Sequence, residues 1–394
     1  MLKKAFVPMA LVFMTVTFLM TTPVLAQQVR GVTDTEVIIG QTGPQTGPAA
    51  LWGSVARGSG LFFKGLNDEG GIHGRKIKYI LRDDGYQPPK TRAIATEFVE
   101  QIGIFGVVGC VGVGPGMAVR DYYTENKVVM VSFGSSGVTN WIKPFNRYIF
   151  ATYPLYVDEA RGLTQYLFEQ MKLTKVAMFY QNDDYGKQGL EGVESYEKEK
   201  GLKLVASVSA EVTERDLSSH ALKLKSSGAE AVIMWAMPTH AALLLTECAK
   251  IGFKPHWATS STLSDGPLMM QITKGLWAGM INSFPIEPPD SNSPLMVKYR
   301  AWHQKYEPNE RWGSYYYSGI AYAEPLAEGL RRAGRTLTPE TFIKAMETLR
   351  DWRGIAGPFT FTSTDHQGAK YVYYAQVQPD GSMKKLTDWT RITK

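Results

Sequence analysis

Two hydroxyls stand side by side in Gly134-Ser135-Ser136-Gly137, directly after the apolar run Val128-Val129-Met130-Val131. If that run is a parallel strand, the turn lies beyond its carboxyl end, where backbone N–H groups and hydroxyls converge on ligands. Such a turn suits a small anion or carboxylate. A plain connection is the competing reading, because Gly/Ser-rich turns follow many strands. The stretch also falls one residue short of a nucleophile elbow, since Val138 stands where G-x-S-x-G needs its last glycine. A serine nucleophile at Ser135 or Ser136 further requires a histidine within hydrogen-bond reach. The six histidines, at 73, 220, 240, 256, 303 and 366, are scattered, and none is close to this turn in sequence or set in an HExxH pair. An exported serine hydrolase with a triad assembled from distant segments remains the rival; otherwise no catalytic residue, metal or cofactor is expected.

Gly112-Val113-Gly114-Pro115-Gly116 follows another apolar strand and precedes a helix. Pro115 removes an N–H that a phosphate loop would use, and no Gly-Lys-Ser/Thr ending is present. A turn that lets a ligand approach the backbone and a purely structural turn both remain open. Trp52-Gly53 and Tyr185-Gly186 occupy matching strand-to-helix turns in the two halves, where aromatics can wall one cleft. Tyr315-Tyr316-Tyr317 opens a helix, and one of the three rings must point away from its core.

These residues need elements to carry them, and the chain alternates strand and helix throughout. Strands are expected at Glu36–Gln41, Lys76–Arg82, Ile104–Gly109 and Val128–Val131, separated by helices over 55–66, from Pro88 to Gln101, and up to Thr124. The alternation then restarts, with helix Val157–Met171, strand Lys175–Tyr180, helix Asp184–Lys200 stopped by Gly201, and strand Leu202–Val208. Helix Glu214–Ser227, strand Ala231–Ala236, helix Thr239–Ile251 and strand Leu276–Asn282 follow. Helices Leu295–Tyr306, Tyr315–Arg332 and Pro339–Leu349 precede a last strand at Tyr371–Val377. The pattern predicts an α/β protein of two Rossmann-like lobes, each with a covered parallel sheet. Crossings near Leu155, Pro285 and Tyr371 would join the lobes by a three-crossover hinge around a closable cleft.

The first residues read as a signal peptide. Lys3 and Lys4 precede the apolar run Ala5–Met20, and Val24-Leu25-Ala26 offers a cleavage site before Gln27. The expected mature chain is periplasmic, with no cysteine at the cut to carry a lipid. The formal charge of +6 falls to +4 without the two leader lysines, and no basic-aromatic block suggests nucleic acid. A 394-residue chain exceeds the roughly 250–300 residues that one core supports. Cys110 and Cys248 fall in different expected lobes and outside any CxxC, so buried free thiols are expected.

Several blocks together resemble the leucine/isoleucine/valine-type periplasmic solute-binding proteins of ABC importers. They are Ile39-Gly40-Gln41-Thr42-Gly43, Gly47-Pro48, Trp52-Gly53, Asn67 to Lys76, Asp83-Asp84, Asp183-Asp184-Tyr185-Gly186 and Gly357-Pro358-Phe359. The resemblance spans essentially the whole mature chain. It implies a type I periplasmic binding protein fold, closure on a ligand, and delivery to an ABC permease in the inner membrane. It places the ligand carboxylate at Val113 to Gly116 and at Gly134, Ser135 and Ser136, with Trp52 and Tyr185 as aromatics on the two lobes. Ser261 falls where amino-acid binders carry an acidic residue for the ammonium, Met237 where a tyrosine is frequent, and Tyr156 where an acidic residue is usual. A buried ammonium without an anionic partner is costly, so the expected ligand is a small carboxylate, aromatic or an aliphatic amino acid. Asp158 or Asp265 would be the alternative ammonium partner.

The expected ligand set is thus Trp52, Val113, Gly114, Gly134, Ser135, Ser136, Tyr156, Tyr185, Met237 and Ser261. The expected domains are a leader (1–26), an N-terminal lobe (27–155 plus 286–371) and a C-terminal lobe (156–285 plus 372–394). The protein is expected to act as a monomer, in transport or as the ligand-sensing subunit of a receptor.

Overall fold

The computed structural model describes residues 1–2, 29–133 and 137–393. The expected leader from residue 3 onward, with its cleavage site, and the turn residues Gly134, Ser135 and Ser136, lie outside the described residues.

The alternation of apolar runs and amphipathic helices folds into two sheets. The first is parallel and joins β1 (Glu36–Gly43), β2 (Lys76–Asp83), β3 (Gly106–Val108), β4 (Val129–Val131) and β5 (Ile149–Phe150) in the order β2-β1-β3-β4-β5. β1 and β2 run in register from Glu36 opposite Lys76 to Gly43 opposite Asp83. Helices α1 (Ser54–Asp68), α2 (Pro88–Thr96), α3 (Val113–Glu125) and the single turn α4 (Thr139–Ile142) connect them. The second sheet repeats the same order with β6 (Val176–Gln181), β7 (Ala206–Ala210), β8 (Ala231–Trp235), β9 (His256–Thr259) and β10 (Ile281–Phe284), arranged β7-β6-β8-β9-β10. β11 (Tyr371–Val377) adds antiparallel to β10, and β12 (Met383–Lys385) extends that edge. Helices α5 (Tyr156–Gln165), α6 (Asp184–Lys200), α7 (Ser218–Ser226), α8 (Pro238–Lys250) and α9 (Gly266–Ile272) complete this lobe.

Three later helices, α10 (Pro294–Tyr306), α11 (Ser314–Ala333) and α12 (Pro339–Met346), return to the first lobe, where α10 and α11 pack on α1. The α1–α11 crossing is unusually close because glycines face each other's backbone. A Cβ at Gly58 would stand 1.7 Å from the Tyr316 carbonyl oxygen, and one at Gly319 would stand 1.8 Å from that of Val55. The Ser59 hydroxyl spans the gap to the Gly319 carbonyl at 2.9 Å.

Helix ends follow local chemistry. Asp183 caps α6 by accepting the Gly186 N–H at 3.1 Å, and Gly201, at φ 70°, ends the helix where the sequence predicts. The expected strand at Leu276–Asn282 is displaced to Ile281–Phe284. Gly275 and Gly279 take left-handed φ of 89° and 87°, which turns the chain through this stretch and buries Trp277. The strand expected from Leu202 begins at Ala206, whose ladder partner is Ala177; Val205 beside it is exposed. The helix from Pro88 to Gln101 loosens after Thr96 into a wider π-type turn over Glu97–Ile102, ended by Gly103 at φ 71°. Short strands β5 and β9 were not predicted. Cys110 and Cys248 are buried free thiols. Among the described residues no helix is long and apolar enough to cross a membrane.

Candidate ligand-binding site

In both sheets the strand order reverses beside the first strand, at β1/β3 and at β6/β8. Ligands of open α/β sheets bind outside the carboxyl ends of strands at such points. A cavity of about 850 Å3, its open mouth included, lies there. Its walls come from both lobes.

Turns after strands place much of the wall, and helices α1 and α11 supply most of the rest. Asp83 at the end of β2 accepts the backbone N–H groups of Gln45 (2.9 Å) and Thr46 (3.3 Å) and the Thr46 hydroxyl (2.6 Å), which folds the loop ahead of Trp52. Burial raises that carboxyl's pKa, but bonds from Thr46, Gly85 and Gln45 outweigh it and bring it down to about 2. Asp84 accepts the Tyr86 N–H at 3.0 Å and the Thr91 hydroxyl at 3.1 Å, holding Tyr86 in a left-handed turn at φ 63°. The two aspartates therefore build turns, as their position beside Gly85 suggests. Gly112, at φ 105°, lets the chain enter α3 against the Tyr86 ring, where a Cβ would sit 2.6 Å away.

Aromatic rings dominate the cavity. Trp52 lies 6.0 Å from Tyr86 and meets Tyr185 edge-on at 6.4 Å. Tyr185 in turn packs on Tyr156 at 5.0 Å, and Tyr153 lies between Tyr156 (5.8 Å) and Tyr322 (6.2 Å). The Trp52 indole N–H donates to the Thr262 carbonyl at 2.9 Å, a bond from the β1 turn to the β9 turn that crosses the cleft. A second crossing bond joins the Thr139 N–H and hydroxyl to the Gln188 amide oxygen at 3.2 and 3.1 Å. The chain is thus seen with its lobes closed.

Polar groups line the cavity from both lobes as hydroxyls. The Tyr185 hydroxyl pairs with Ser260 (3.0 Å) and Thr262 (2.5 Å), and the Tyr153 hydroxyl with Ser261 (2.5 Å). Among the described residues that line the cavity none is Asp, Glu, Lys, Arg or His. The nearby carboxylates of Asp265 and Glu159 are buried off its surface. Asp265 caps α9 and pairs with Arg311, and Glu159 accepts the Ser261 N–H at 2.6 Å. Asp158 lines no part of it either. Burial raises the pKa of the Asp84, Asp158 and Glu159 carboxyls.

Of the residues singled out from sequence, Trp52, Val113, Tyr156, Tyr185 and Ser261 surround this one cavity. Gly134, Ser135 and Ser136 lie outside the described residues. Gly114 is exposed on the outer side of the first turn of α3 and does not line the cavity. Met237 does not line it either, which corrects its assignment as a cleft wall. Pro238 starts α8 at once, and Met237 is fully buried as the residue preceding that helix. Sequence reasoning missed Tyr86, Tyr153 and Tyr322. The last was legible in principle, because Tyr315, Ser318 and Tyr322 share one face of α11 at helical spacing, and all three line the cavity. The histidine rings are elsewhere; His73, His220, His240, His303 and His366 each bond a backbone carbonyl, and none lines the cavity. No cluster of three or more His, Cys, Asp or Glu that could hold a metal occurs among the described residues.

Comparison with known proteins adds an independent line. The profile of a family described as periplasmic binding protein matches residues 36–382. Leu/Ile/Val-binding protein homolog 1 of Brucella abortus (strain 2308) is 26% identical over 352 residues, covering 86% of this chain and 90% of that protein. Among solved structures, a branched chain amino acid ABC transporter protein from Thermus thermophilus with bound valine superposes with a TM-score of 0.82 at 19% identity, covering 91% of this chain and 97% of that one. The fatty acid ABC transporter substrate-binding protein from Thermomonospora curvata also gives 0.82, at 23% identity, with 93% and 95% covered.

Proposed function

The chain belongs to the periplasmic binding protein family, and from that premise we propose that it captures a small organic acid between its lobes and presents it, unchanged, to an ABC permease in the inner membrane. Family membership makes it a binding protein rather than an enzyme, with an extracytoplasmic place of work. The finer reading has a leader cleaved after Ala26 and a monomer of two lobes, 27–155 plus 286–371 and 156–285 plus 372–394. These hinge where the chain crosses near Leu155, Pro285 and Tyr371. Pro285 and Ile286, which line the cavity at one of these crossings, suit such a hinge.

The observation that carries the ligand class is a cavity walled by tyrosine and tryptophan with no charged lining side chain among the described residues. An α-ammonium placed there would lose its hydration without gaining a direct anionic partner. A carboxylate is better served, because α3 points its N-terminal end at the cavity from Val113, and hydroxyls stand close by. The turn Gly134, Ser135 and Ser136 would complete that end. Rings favour an aromatic acid over leucine, which the Brucella relative's name would otherwise suggest. The same fold serves valine in one neighbour and a fatty acid in another by their titles, so the fold alone does not choose.

Calorimetric titration of the mature chain with benzoate and with leucine tests this. The expected result is saturable binding of benzoate, with leucine weaker by about tenfold or more for its unpaired ammonium. Tight leucine binding with none for benzoate would overturn the ligand class and leave the family intact.

A further inference from the structure

The turn between β9 and α9 brings Ser261, Thr262 and Ser264 to the cavity wall, and the same turn reaches across the cleft. Thr262 accepts the Trp52 indole N–H, the Ser264 hydroxyl donates to that of Ser314 at 3.2 Å, and Asp265 pairs with Arg311. Arg311 lies between α10 and α11, both packed on α1, and Glu310 beside it is tied to Arg57 of α1 at 2.7 Å. The Asp265–Arg311 pair therefore joins the second lobe to the first.

Asp265 is fully buried, whereas the Arg311 side chain is 41% exposed. Its Oδ1 accepts the Leu268 N–H at 3.2 Å and so caps α9, while Oδ2 takes Arg311 and reaches the Tyr315 N–H at 3.5 Å in the first turn of α11. α11 has no side-chain cap of its own, because Gly313 precedes it. A Cβ at Gly313 would stand 2.3 Å from Oδ2, so the glycine is what admits the carboxylate. One carboxylate thus serves a helix in each lobe, with its charge at the favourable end of both.

Opening the lobes keeps the α9 cap and breaks the other contacts. In the shut protein the Arg311 guanidinium and the two helix N-termini replace the water around Asp265; without Arg311 a buried charge is left uncompensated. We propose that Asp265 and Arg311 form a latch that holds the lobes shut and sets how long the ligand stays, although neither lines the cavity. Both are positioning residues for capture. The inference goes beyond the proposed function and rests on closure of the lobes, not on which acid is bound. The two residues stand 46 positions apart, and nothing in sequence pairs them.

The test is calorimetric affinity and stopped-flow rates for benzoate and for leucine, with native mature protein and three variants. Arg311→Met strands the carboxylate in the shut protein and is expected to weaken binding by about thirtyfold, through faster dissociation, with association within about threefold of native. Asp265→Asn keeps the α9 cap and leaves a cation partly in water, for an expected loss of about fivefold. The double variant strands no charge and is expected to bind at about the Asp265→Asn level, tighter than Arg311→Met alone. Melting without ligand checks that each variant folds, and should Asp265→Asn unfold, the affinity and release rate of Arg311→Met decide. An Arg311→Met affinity within about twofold of native overturns the inference and leaves the proposed function standing. Slower association in place of faster release, or losses that simply add in the double variant, does the same, because Asp265 would then act through α9 alone. If leucine binds and benzoate does not, the ligand class falls, and the same comparison made with leucine decides the latch. Binding of neither compound by native protein counts against both.

Discussion

Trp52→Ala is expected to weaken ligand binding by about two orders of magnitude, the scale of losing a central aromatic anchor. Two contributions add. The indole N–H is spent on the Thr262 carbonyl across the cleft at 2.9 Å, so truncation removes a bond made only when the lobes are shut. The ring also sits between Tyr86 and Tyr185, at 6.0 and 6.4 Å, and its removal opens one wall of the cavity to water. Trp52→Phe separates them. It keeps most of the ring and leaves the Thr262 carbonyl without its donor, for an expected loss of about tenfold. Both affinities are read by calorimetry, with the thermal transition checked in parallel. An affinity within twofold of native for Trp52→Ala would show that this closure contact plays no part in capture.

The largest effect on stability is expected at Gly58. Alanine there puts a methyl group 1.7 Å from the Tyr316 carbonyl oxygen, and neither backbone can yield without moving a helix. Overpacking of that kind costs about 3 kcal/mol, the upper part of the usual range, and in a chain this long lowers the midpoint by several degrees. The consequence reaches the site as well. α1 begins directly after Trp52 and carries Val55, while α11 carries Tyr315, Ser318 and Tyr322, so the same crossing sets the spacing of two cavity walls. Calorimetric melting of Gly58→Ala should therefore show both a lower midpoint and a smaller ligand-induced shift. A midpoint within one degree of native would mean that the helices do not approach this closely.

Parts of this arrangement were legible in the chain because they rest on local chemistry. The bounds of α6 follow from Asp183 and Gly201, and the repeat of strand and helix in both halves is enough to give two covered sheets. Trp52 and Tyr185 stood out because an aromatic followed by glycine opens a helix in each half. Met237 did not lend itself to this reasoning. It occupies the matching position after β8, but Pro238 begins the next helix immediately and turns Met237 into the core. Tyr86 was hidden for a different reason: its left-handed backbone depends on Asp84, and nothing in Asp84-Gly85-Tyr86 marks which residue will take it. The strand read at Leu276 failed because two glycines chose turns over an extended run of apolar residues. The hydroxyl pair of Tyr153 and Ser261 and the carboxylate behind it come together only through the tertiary fold.

The central claim is that two lobes shut over an acid and release it unaltered. Small-angle X-ray scattering of the mature chain, without ligand and then saturated with the tightest acid of the titration series, followed by recovery of that acid from unfolded protein, tests it most directly. A smaller radius of gyration on saturation, with the acid returned intact, is the predicted result. Superimposable profiles, or an acid recovered in altered chemical form, would contradict the account.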